Sequence, residues 1–225
     1  MPFRDWVREV EVEPSVYAAD FLRVGDQVET LLAAGARIFH VDVGDGHFVP
    51  PVTIGPVVVA ALAPVVHAAG GRLDCHLMVT EPEAHFAQIR EAGGDSVTFH
   101  VEAVADPKRT IAAARELGLG VGVAFKPDTA VEAAAAAADG ADLVLCMSVD
   151  PGYSGQGFIP ESLERLRRVR RLVAPEQLVQ VDGGITVGNA RSVREAGASL
   201  VVVGSAIFAA GEIASAYLRL LSALG

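Results

Sequence analysis

The chain of 225 residues contains only two cysteines, so it cannot carry the disulfide framework of a small secreted fold. Basic residues are also few, since 18 lysines and arginines stand against 28 acidic residues and the formal charge is −10. This balance predicts no partnership with nucleic acid or an anionic membrane, because both require a basic surface. The hydrophobic fraction of 51% and the charged fraction of 20% exclude intrinsic disorder.

Long hydrophobic runs are absent as well. Residues 1–14 hold six charged side chains and no apolar segment after a basic start, so no secretory signal is predicted. The most apolar stretch, residues 56–71, contains two prolines and a histidine and is too short to span a bilayer. We therefore expect a cytoplasmic protein that does not insert into a membrane.

Short β-branched runs alternate instead with segments rich in alanine, leucine and arginine. Strands are predicted at residues 10–14, 37–43, 72–78, 96–100, 120–125, 142–147, 178–181 and 200–203. Helices are predicted at residues 26–34, 56–63, 82–92, 106–117, 129–138, 160–173, 187–196 and 213–224.

The strand candidates are near-continuous apolar runs, which is typical of parallel strands covered on both faces. Glycines 35, 93, 118, 140 and 197 each follow a helix candidate and are predicted to end it in a left-handed conformation. Eight strand–helix units predict a single (β/α)8 TIM barrel over residues 1–225. The alternative is a doubly wound open sheet, which normally has fewer strands and a glycine-rich dinucleotide fingerprint that this chain lacks.

Chemistry in such a barrel lies at the C-terminal ends of the strands. His40 and Asp42 share one face of their strand, and Asp74 and His76 share a face of the next, because side chains alternate. With Asp182, two imidazoles and further carboxylates converge at one mouth. This donor set predicts one divalent cation such as Zn²⁺, Fe²⁺, Mn²⁺ or Co²⁺. The alternative, histidines that are only core residues, leaves buried carboxylates without a counter-charge.

Three glycine-rich turns follow the last three strands: residues 150–157, Gly183–Gly184 and Gly204–Ser205, the last of which opens a short helix predicted at 206–209. Backbone N–H groups in such turns can face an anion, and barrels commonly hold phosphate in these loops. Together the turns predict a phosphate site, although any one of them alone would be an ordinary tight turn.

The other histidines are assigned by position. His67 and His85 are predicted on the surface or on helices, and His47 lies in the loop after the second strand, where it could border the site. His100 ends the fourth strand, which leaves it open between a core residue and a residue that supports the metal ligands.

At this point the sequence resembles a known family. The segments that carry the resemblance are residues 14–15, 19–21, 40–50, 74–79, 150–156 and 181–184, and the similarity runs from about Val12 to Phe208. They look like ribulose-phosphate 3-epimerase. The resemblance implies a TIM barrel of the ribulose-phosphate-binding type that interconverts D-ribulose 5-phosphate and D-xylulose 5-phosphate, without an organic cofactor, in the pentose phosphate pathway or Calvin cycle.

The resemblance also implies roles for individual residues. By position, the metal ligands would be His40, Asp42, His76 and Asp182, and Asp42 and Asp182 would also be the two acid/base groups. The substrate would be contacted or enclosed by Ser15, His76, Met78 and Met147. Its phosphate end would be held by Gly152, Tyr153, Ser154, Gly155, Gly183, Gly184, Gly204 and Ser205. A homo-oligomer is compatible with the family, but no interface can be identified from the sequence.

Four positions depart from the family pattern: Ala18 replaces a usual serine, Gly44 a methionine, Pro51 an asparagine and Ser154 a glycine. We expect Gly44 to remove a thioether near the substrate and to open space. Gly44 and Pro51 together give some support to an alternative substrate, a larger ketose phosphate such as a hexulose 6-phosphate.

Two other classes of protein remain alternatives. A decarboxylase or lyase on a similar barrel would place a lysine among the carboxylates of the third strand, where residues 72–78 have none. A non-catalytic phosphate-binding barrel is disfavoured because the whole ligand set is present.

Overall fold

A computed structural model describes residues 3–225 of the chain. Its eight strands are β1 (Glu11–Pro14), β2 (Ile38–Gly44), β3 (Arg72–Met78), β4 (Ser96–His100), β5 (Gly120–Phe125), β6 (Leu143–Met147), β7 (Leu178–Asp182) and β8 (Leu200–Val203). Each strand end lies within one residue of the predicted bound.

Helices alternate with the strands. They are α1 (Val24–Ala33), α2 (Pro56–Ala68), α3 (Glu83–Ala92), α4 (Pro107–Glu116), α5 (Val131–Ala137), α6 (Ser162–Leu172), α7 (Ala190–Glu195), α8 (Ser205–Phe208) and α9 (Ile213–Leu224). Within residues 3–225, none of these helices has both the length and the apolar character needed to cross a bilayer.

All ladder pairings between the strands are parallel, in the order β1-β8-β7-β6-β5-β4-β3-β2. A parallel bridge between Ser15 and His40 joins the two ends of this order. The sheet is therefore a nearly closed barrel surrounded by helices, which confirms the TIM barrel prediction.

Side-chain alternation divides the hydrophobic core into two parts. One part packs between the outer face of the sheet and the helices and includes Val41, Cys75 and Val144. The other fills the barrel interior and includes Leu143 and Leu145. The interior polar residues lie on the same strand faces as this second part, so the fold directs them toward the barrel axis.

Helix bounds differ from the predictions by up to three residues, except at the end of α2, where the difference is five residues. Helix α2 was expected to end at residue 63 because Pro64 cannot donate a helical hydrogen bond, but it continues to Ala68. Burial of Val59, Leu62 and Val66 along one face offsets the missing bond. The predicted helix-ending glycines all have positive φ, between 72° at Gly118 and 108° at Gly197.

Candidate metal centre at the mouth of the barrel

The four predicted metal ligands come together at one point of the barrel mouth. His40 and Asp42 lie on β2, His76 on β3 and Asp182 at the end of β7. Each offers one ligand atom such that all four atoms lie within 4.8 Å of one another. The register of β2 and β3 places Asp42 directly beside His76, which is why the two strands contribute adjacent donors.

The two histidines present different nitrogens to this point. His40 Nε2 lies 3.3 Å from Asp42 Oδ1 and is a buried atom without a hydrogen-bond partner among the described residues. His76 turns its Nδ1 inward, 3.1 Å from Asp42 Oδ1 and 3.9 Å from Asp182 Oδ2. Both rings are fully buried.

Each histidine also has a partner on its outer nitrogen. His40 Nδ1 lies 3.1 Å from Asp74 Oδ2. His76 Nε2 lies 2.9 Å from His100 Nε2, and His100 Nδ1 lies 3.2 Å from Glu102 Oε2. His100 is therefore both a buried residue and a neighbour of a candidate ligand, so the two positions that the sequence left open apply together.

A hydrogen-bonded layer lies beneath the centre, and sequence reasoning missed most of it. Gln180 Nε2 donates to Glu13 Oε2 at 2.6 Å and to Asp74 Oδ2 at 2.9 Å, while Ser96 Oγ donates to Asp74 Oδ1 at 2.7 Å. Glu13 and Gln180 could have been found by alternation, because each lies two residues before a predicted site residue on its strand.

The ionisable groups of the centre shift one another's pKa. Burial would lower the pKa of His40, but the carboxylates of Asp42, Asp74 and Glu13 raise it well above its ordinary value. Burial would raise the pKa of Asp42, yet the neighbouring His40 ring lowers it. Burial and the charge of Asp42 raise the pKa of Asp182. The pKa values of the two carboxyls are thus shifted in opposite directions, which favours the ionised form of Asp42 and the protonated form of Asp182.

These residues fit a divalent cation. The His40 Nε2, which has no hydrogen-bond partner among the described residues, and the His76 Nδ1 both lie close to carboxylate oxygens. The atoms that face the middle of the cluster are therefore nitrogen and oxygen donors that can coordinate one cation. Two imidazoles and two carboxylates are a donor set that several borderline divalent metals accept.

A small cavity of about 50 Å³ opens beside the carboxylates. Its lining includes the predicted residues Ser15, Asp42, Met78, Met147, Gly152, Tyr153, Ser154 and Asp182. Ser15 Oγ donates to Asp42 Oδ2 at 2.6 Å and so fixes that carboxylate. Tyr17, Val149 and Pro151 also line the cavity and carried no separate sequence signal.

A second cavity, of about 380 Å³, adjoins the first. The predicted residues in its lining are Tyr153, Ser154, Gly155, Gly183, Gly184, Gly204 and Ser205. Gly184 has a φ of 63°, and a Cβ there would lie 2.3 Å from the backbone nitrogen of Phe158. Glycine is therefore required where the loops after β6 and β7 meet.

The space at Gly44 was predicted wrongly. A Cβ on Gly44 would lie 2.9 Å from Val49 Cγ2 and 3.0 Å from the carbonyl oxygen of Pro51. The loop after β2 thus closes onto this glycine, so that its lack of a side chain leaves no opening. His47 in the same loop is exposed, His67 is exposed and pairs with Asp95, and His85 lies on α3.

Comparison with known proteins agrees with this geometry. The model of the ribulose-phosphate 3 epimerase family matches residues 11–208. The ribulose-phosphate 3-epimerase of Synechocystis sp. is 41% identical over 93% of this chain and 92% of its own length. The ribulose-phosphate 3-epimerase of Bacillus subtilis is 40% identical over 88% and 92%.

Solved structures resemble the chain in fold. The 3-hexulose-6-phosphate synthase of Salmonella typhimurium has a TM-score of 0.73 at 18% identity, covering 96% of this chain and 98% of that one. The orotidine 5'-phosphate decarboxylase of Pyrococcus horikoshii has a TM-score of 0.69 at 16% identity, covering 95% and 98%. At these identities the likeness shows a shared barrel fold.

Proposed function

This chain belongs to the ribulose-phosphate 3-epimerase family and is an enzyme of the isomerase class, and on that premise we propose that it interconverts D-ribulose 5-phosphate and D-xylulose 5-phosphate with the aid of a divalent cation. The observation that carries the proposal is the convergence of His40, Asp42, His76 and Asp182 on one point. Residues 1–225 would act as one catalytic domain in the pentose phosphate pathway of the cytoplasm.

The cation would be held by the His40 Nε2, the His76 Nδ1 and one oxygen each of Asp42 and Asp182. When bound there, it supplies a Lewis acid for negative charge that develops on the substrate oxygens. The buried carboxylates around the two rings support this assignment, because they surround a position that calls for positive charge.

Proton transfer at carbon 3 is assigned to Asp42 and Asp182. Inversion of a carbon centre needs one group to remove a proton from one face and a second group to deliver a proton to the other. Asp42 projects from β2 and Asp182 from β7, so the two carboxyls approach the small cavity from different strands. Their pKa values are shifted in opposite directions, as an acid and base pair requires.

Binding of the substrate is assigned to the two adjoining cavities. The phosphate group would lie in the larger cavity, where the backbone N–H groups of Gly183–Gly184 and Gly204–Ser205 are available to an anion. The carbons that react would lie in the smaller one, between Met78 and Met147. Anchoring of the remote phosphate orients the reacting carbon between the two carboxyls.

The structure weakens the alternative substrate. Its support was Gly44 and Pro51, and the space expected at Gly44 is filled by Val49, Pro51 and Thr53. A decarboxylase that uses an interior lysine is also disfavoured, because Lys108 pairs with Asp139 on the surface and Lys126 lies over the ring of Phe48. The expected absence of nucleic-acid partners and the formation of a homo-oligomer stay predictions.

The test is epimerisation of D-ribulose 5-phosphate by purified protein before chelation, after chelation, and after return of Zn²⁺, Mn²⁺, Fe²⁺ or Co²⁺ singly. We expect turnover to be lost with the metal and regained with at least one cation. When the reaction runs in D₂O, the product should carry deuterium at carbon 3, since solvent-exchangeable carboxyls exchange the proton.

Two outcomes contradict the proposal separately. Full turnover by protein shown to be free of metal would overturn the cation while leaving the substrate in place. Negligible turnover by fully loaded protein would overturn the substrate, and the same assay on a hexulose 6-phosphate would then show whether the larger ketose is used.

A further inference from the structure

A line of three side chains leads from the metal centre to the rim of the barrel. His76 Nε2 lies 2.9 Å from His100 Nε2, and His100 Nδ1 lies 3.2 Å from Glu102 Oε2. Both histidines are fully buried, and their ring centroids lie 5.0 Å apart. Neither contact is needed to bring His76 to the cation position, so the line calls for an explanation of its own.

Glu102 is fixed by groups that do not belong to the metal centre. Its Oε1 accepts a hydrogen bond from the backbone N–H of Lys126 at 2.8 Å and another from the hydroxyl of Thr129. The N–H of Lys126 is a donor that cannot reverse. These bonds leave Oε2 directed at His100, and they favour the ionised carboxylate, which can only accept hydrogen bonds.

The direction of the remaining hydrogen bonds follows from this anchor. A carboxylate accepts, so His100 must donate from Nδ1, and a neutral His100 then presents a lone pair at Nε2. His76 must therefore donate its Nε2–H to His100. A neutral His76 is left with a lone pair at Nδ1, the atom that lies 3.1 Å from Asp42 Oδ1 and nearest the cation position.

We propose that Glu102 is a positioning residue for the metal centre: acting through His100, it fixes His76 in the tautomer whose Nδ1 can bind the cation. The inference rests on the metal centre proposed above and adds to it a residue that touches neither metal nor substrate. Groups that set the tautomer of a ligating histidine commonly change metal affinity by about 10- to 100-fold.

His40 provides an internal comparison. Its outer nitrogen, Nδ1, lies 3.1 Å from the Asp74 carboxylate, so a neutral His40 that donates there presents its lone pair on Nε2 to the centre. His40 presents Nε2 to the centre and His76 presents Nδ1. On the side of each ring that faces away from the centre, the hydrogen bonds end at a carboxylate. For His40 the carboxylate is in direct contact, whereas for His76 it acts through one further imidazole.

The residues around His76, His100 and Glu102, here together called the relay, keep its hydrogen bonds from rearranging. The ring of Phe48 lies against His100 at a centroid distance of 4.8 Å, and Lys126 Nζ lies 3.9 Å from the centroid of Phe48. His100 is fully buried, so neither of its nitrogens can exchange its partner for bulk water. A change in hydrogen-bond polarity at Glu102 must therefore be passed on to His76.

Glu102→Gln tests the inference because it preserves shape and reverses polarity. The amide oxygen must accept the Lys126 N–H, so the amide NH₂ faces His100 Nδ1 and demands a lone pair there. His100 then carries its proton on Nε2, and His76 is driven to hold its proton on Nδ1. In metal-free protein, ¹⁵N NMR of the histidine rings should place the His100 proton on Nδ1 in wild type and on Nε2 in the variant.

Metal affinity gives the second measurement. Competition between metal-free protein and a chelator for Co²⁺ should show about 10- to 100-fold weaker binding by Glu102→Gln. The matched control is Asp95→Asn, which alters a partly buried carboxylate that also bonds a histidine, the exposed His67, outside the candidate centre. That variant should bind Co²⁺ as wild type does.

A double-mutant cycle separates the relay from a general structural effect. His100→Phe removes both ring nitrogens and keeps an aromatic ring against Phe48. In that background, Glu102→Gln should change Co²⁺ affinity by less than about twofold, because the path to His76 is already cut. An equal loss in both backgrounds, or no loss in either, would overturn the relay. Wild-type protein that fails to bind Co²⁺ would overturn the metal centre together with the relay.

Discussion

The two halves of the barrel interior differ in chemistry although they share one fold. Strands β1 to β4 direct mostly polar or ionisable side chains inward, and strands β5 to β8 direct mostly glycine, alanine, leucine and valine. The first half is here called the polar half, and besides the apolar Ile38 and Met78 its buried inward residues are Glu11, Glu13, Ser15, His40, Asp42, Asp74, His76, Ser96, Thr98 and His100. Those of the second, the apolar half, include Ala124, Leu143, Leu145, Met147, Leu178, Leu200 and Val202.

The difference between the two halves shows how ionisable side chains can be buried inside the barrel. Most buried carboxylates and imidazoles of the polar half are hydrogen-bonded to one another, whereas the apolar half supplies an uncharged wall. Among residues 3–225, the inward polar side chains on the strands of the apolar half are Gln180 and Asp182 of β7. Gln180 joins the network beneath the centre, and Asp182 completes the set of ligands. The chemistry is therefore expected at the boundary between the halves.

The largest effect should follow from removal of either carboxylate at that boundary. Asp42→Asn and Asp182→Asn should each lower kcat by at least about 10²- to 10⁴-fold, because each removes one of the two acid/base groups. The asparagine amide is nearly isosteric, so the fold should survive. The measurement is steady-state epimerisation of D-ribulose 5-phosphate, with far-UV circular dichroism to verify folding.

Asp139→Asn is the matched control for these two variants. Asp139 is exposed and pairs with Lys108 on the surface, so its loss should leave kcat unchanged. A rate near that of wild type in either Asp42→Asn or Asp182→Asn would contradict the assignment of proton transfer to a pair of carboxyls.

The next effect concerns Gln180, the polar residue that the apolar half contributes to the network. Gln180→Leu removes the donor that Glu13 and Asp74 share, and it leaves both carboxylates buried with fewer partners. We expect a loss of about 3 kcal/mol in the free energy of unfolding, measured with urea. Co²⁺ affinity should fall too, because Asp74 orients His40.

Leu145→Ala tests the apolar half and is compared with Gln180→Leu. It removes a fully buried side chain of the apolar half and should cost about 2–5 kcal/mol through the cavity it leaves. Its Co²⁺ affinity should remain close to that of wild type. If Leu145→Ala weakened the metal as much as Gln180→Leu does, the two halves would not be functionally distinct.

The fold could be predicted almost completely from local patterns. Strand ends were predictable to one residue because apolar runs end where glycine or charged residues begin. Helix ends were less predictable, and α2 departs most, since the penalty at Pro64 is local whereas the burial of Val66 that offsets it depends on neighbouring helices. The convergence of His40, Asp42, His76 and Asp182 also followed from alternation once a barrel was assumed.

Contacts across the barrel could not be predicted in the same way. Alternation shows that Gln180 points inward, but only the diameter and stagger of the closed sheet bring it to Asp74 on β3. The relay through His100 depends likewise on the register of β3 with β4 and on a loop after β5 that fixes Glu102. The space at Gly44 depends on how the loop after β2 returns, which no local pattern reports.

The smallest effect tests whether the polar half extends beyond its strands, into the loops after β2 and β3. Asp45 Oδ1 accepts the backbone N–H groups of His47 and Phe48, each at 2.8 Å, and Oδ2 accepts the N–H and the hydroxyl of Thr80. Burial would raise the pKa of Asp45, but these hydrogen bonds lower it to about 2.

A carboxyl whose pKa is lowered in the folded state stabilises the fold above its ordinary pKa of 3.8, and the stabilisation is lost as the pH falls toward 2. Asp45→Asn should therefore cost about 1 kcal/mol near neutral pH, and the difference from wild type should shrink between pH 4 and pH 2. Urea unfolding across this range measures it. Thr80→Val, which removes one donor of the four, should show a smaller change of the same sign. A difference between wild type and Asp45→Asn that stayed constant with pH would mean that the charge of Asp45 does not hold the two loops together, and the polar half would then end with its strands.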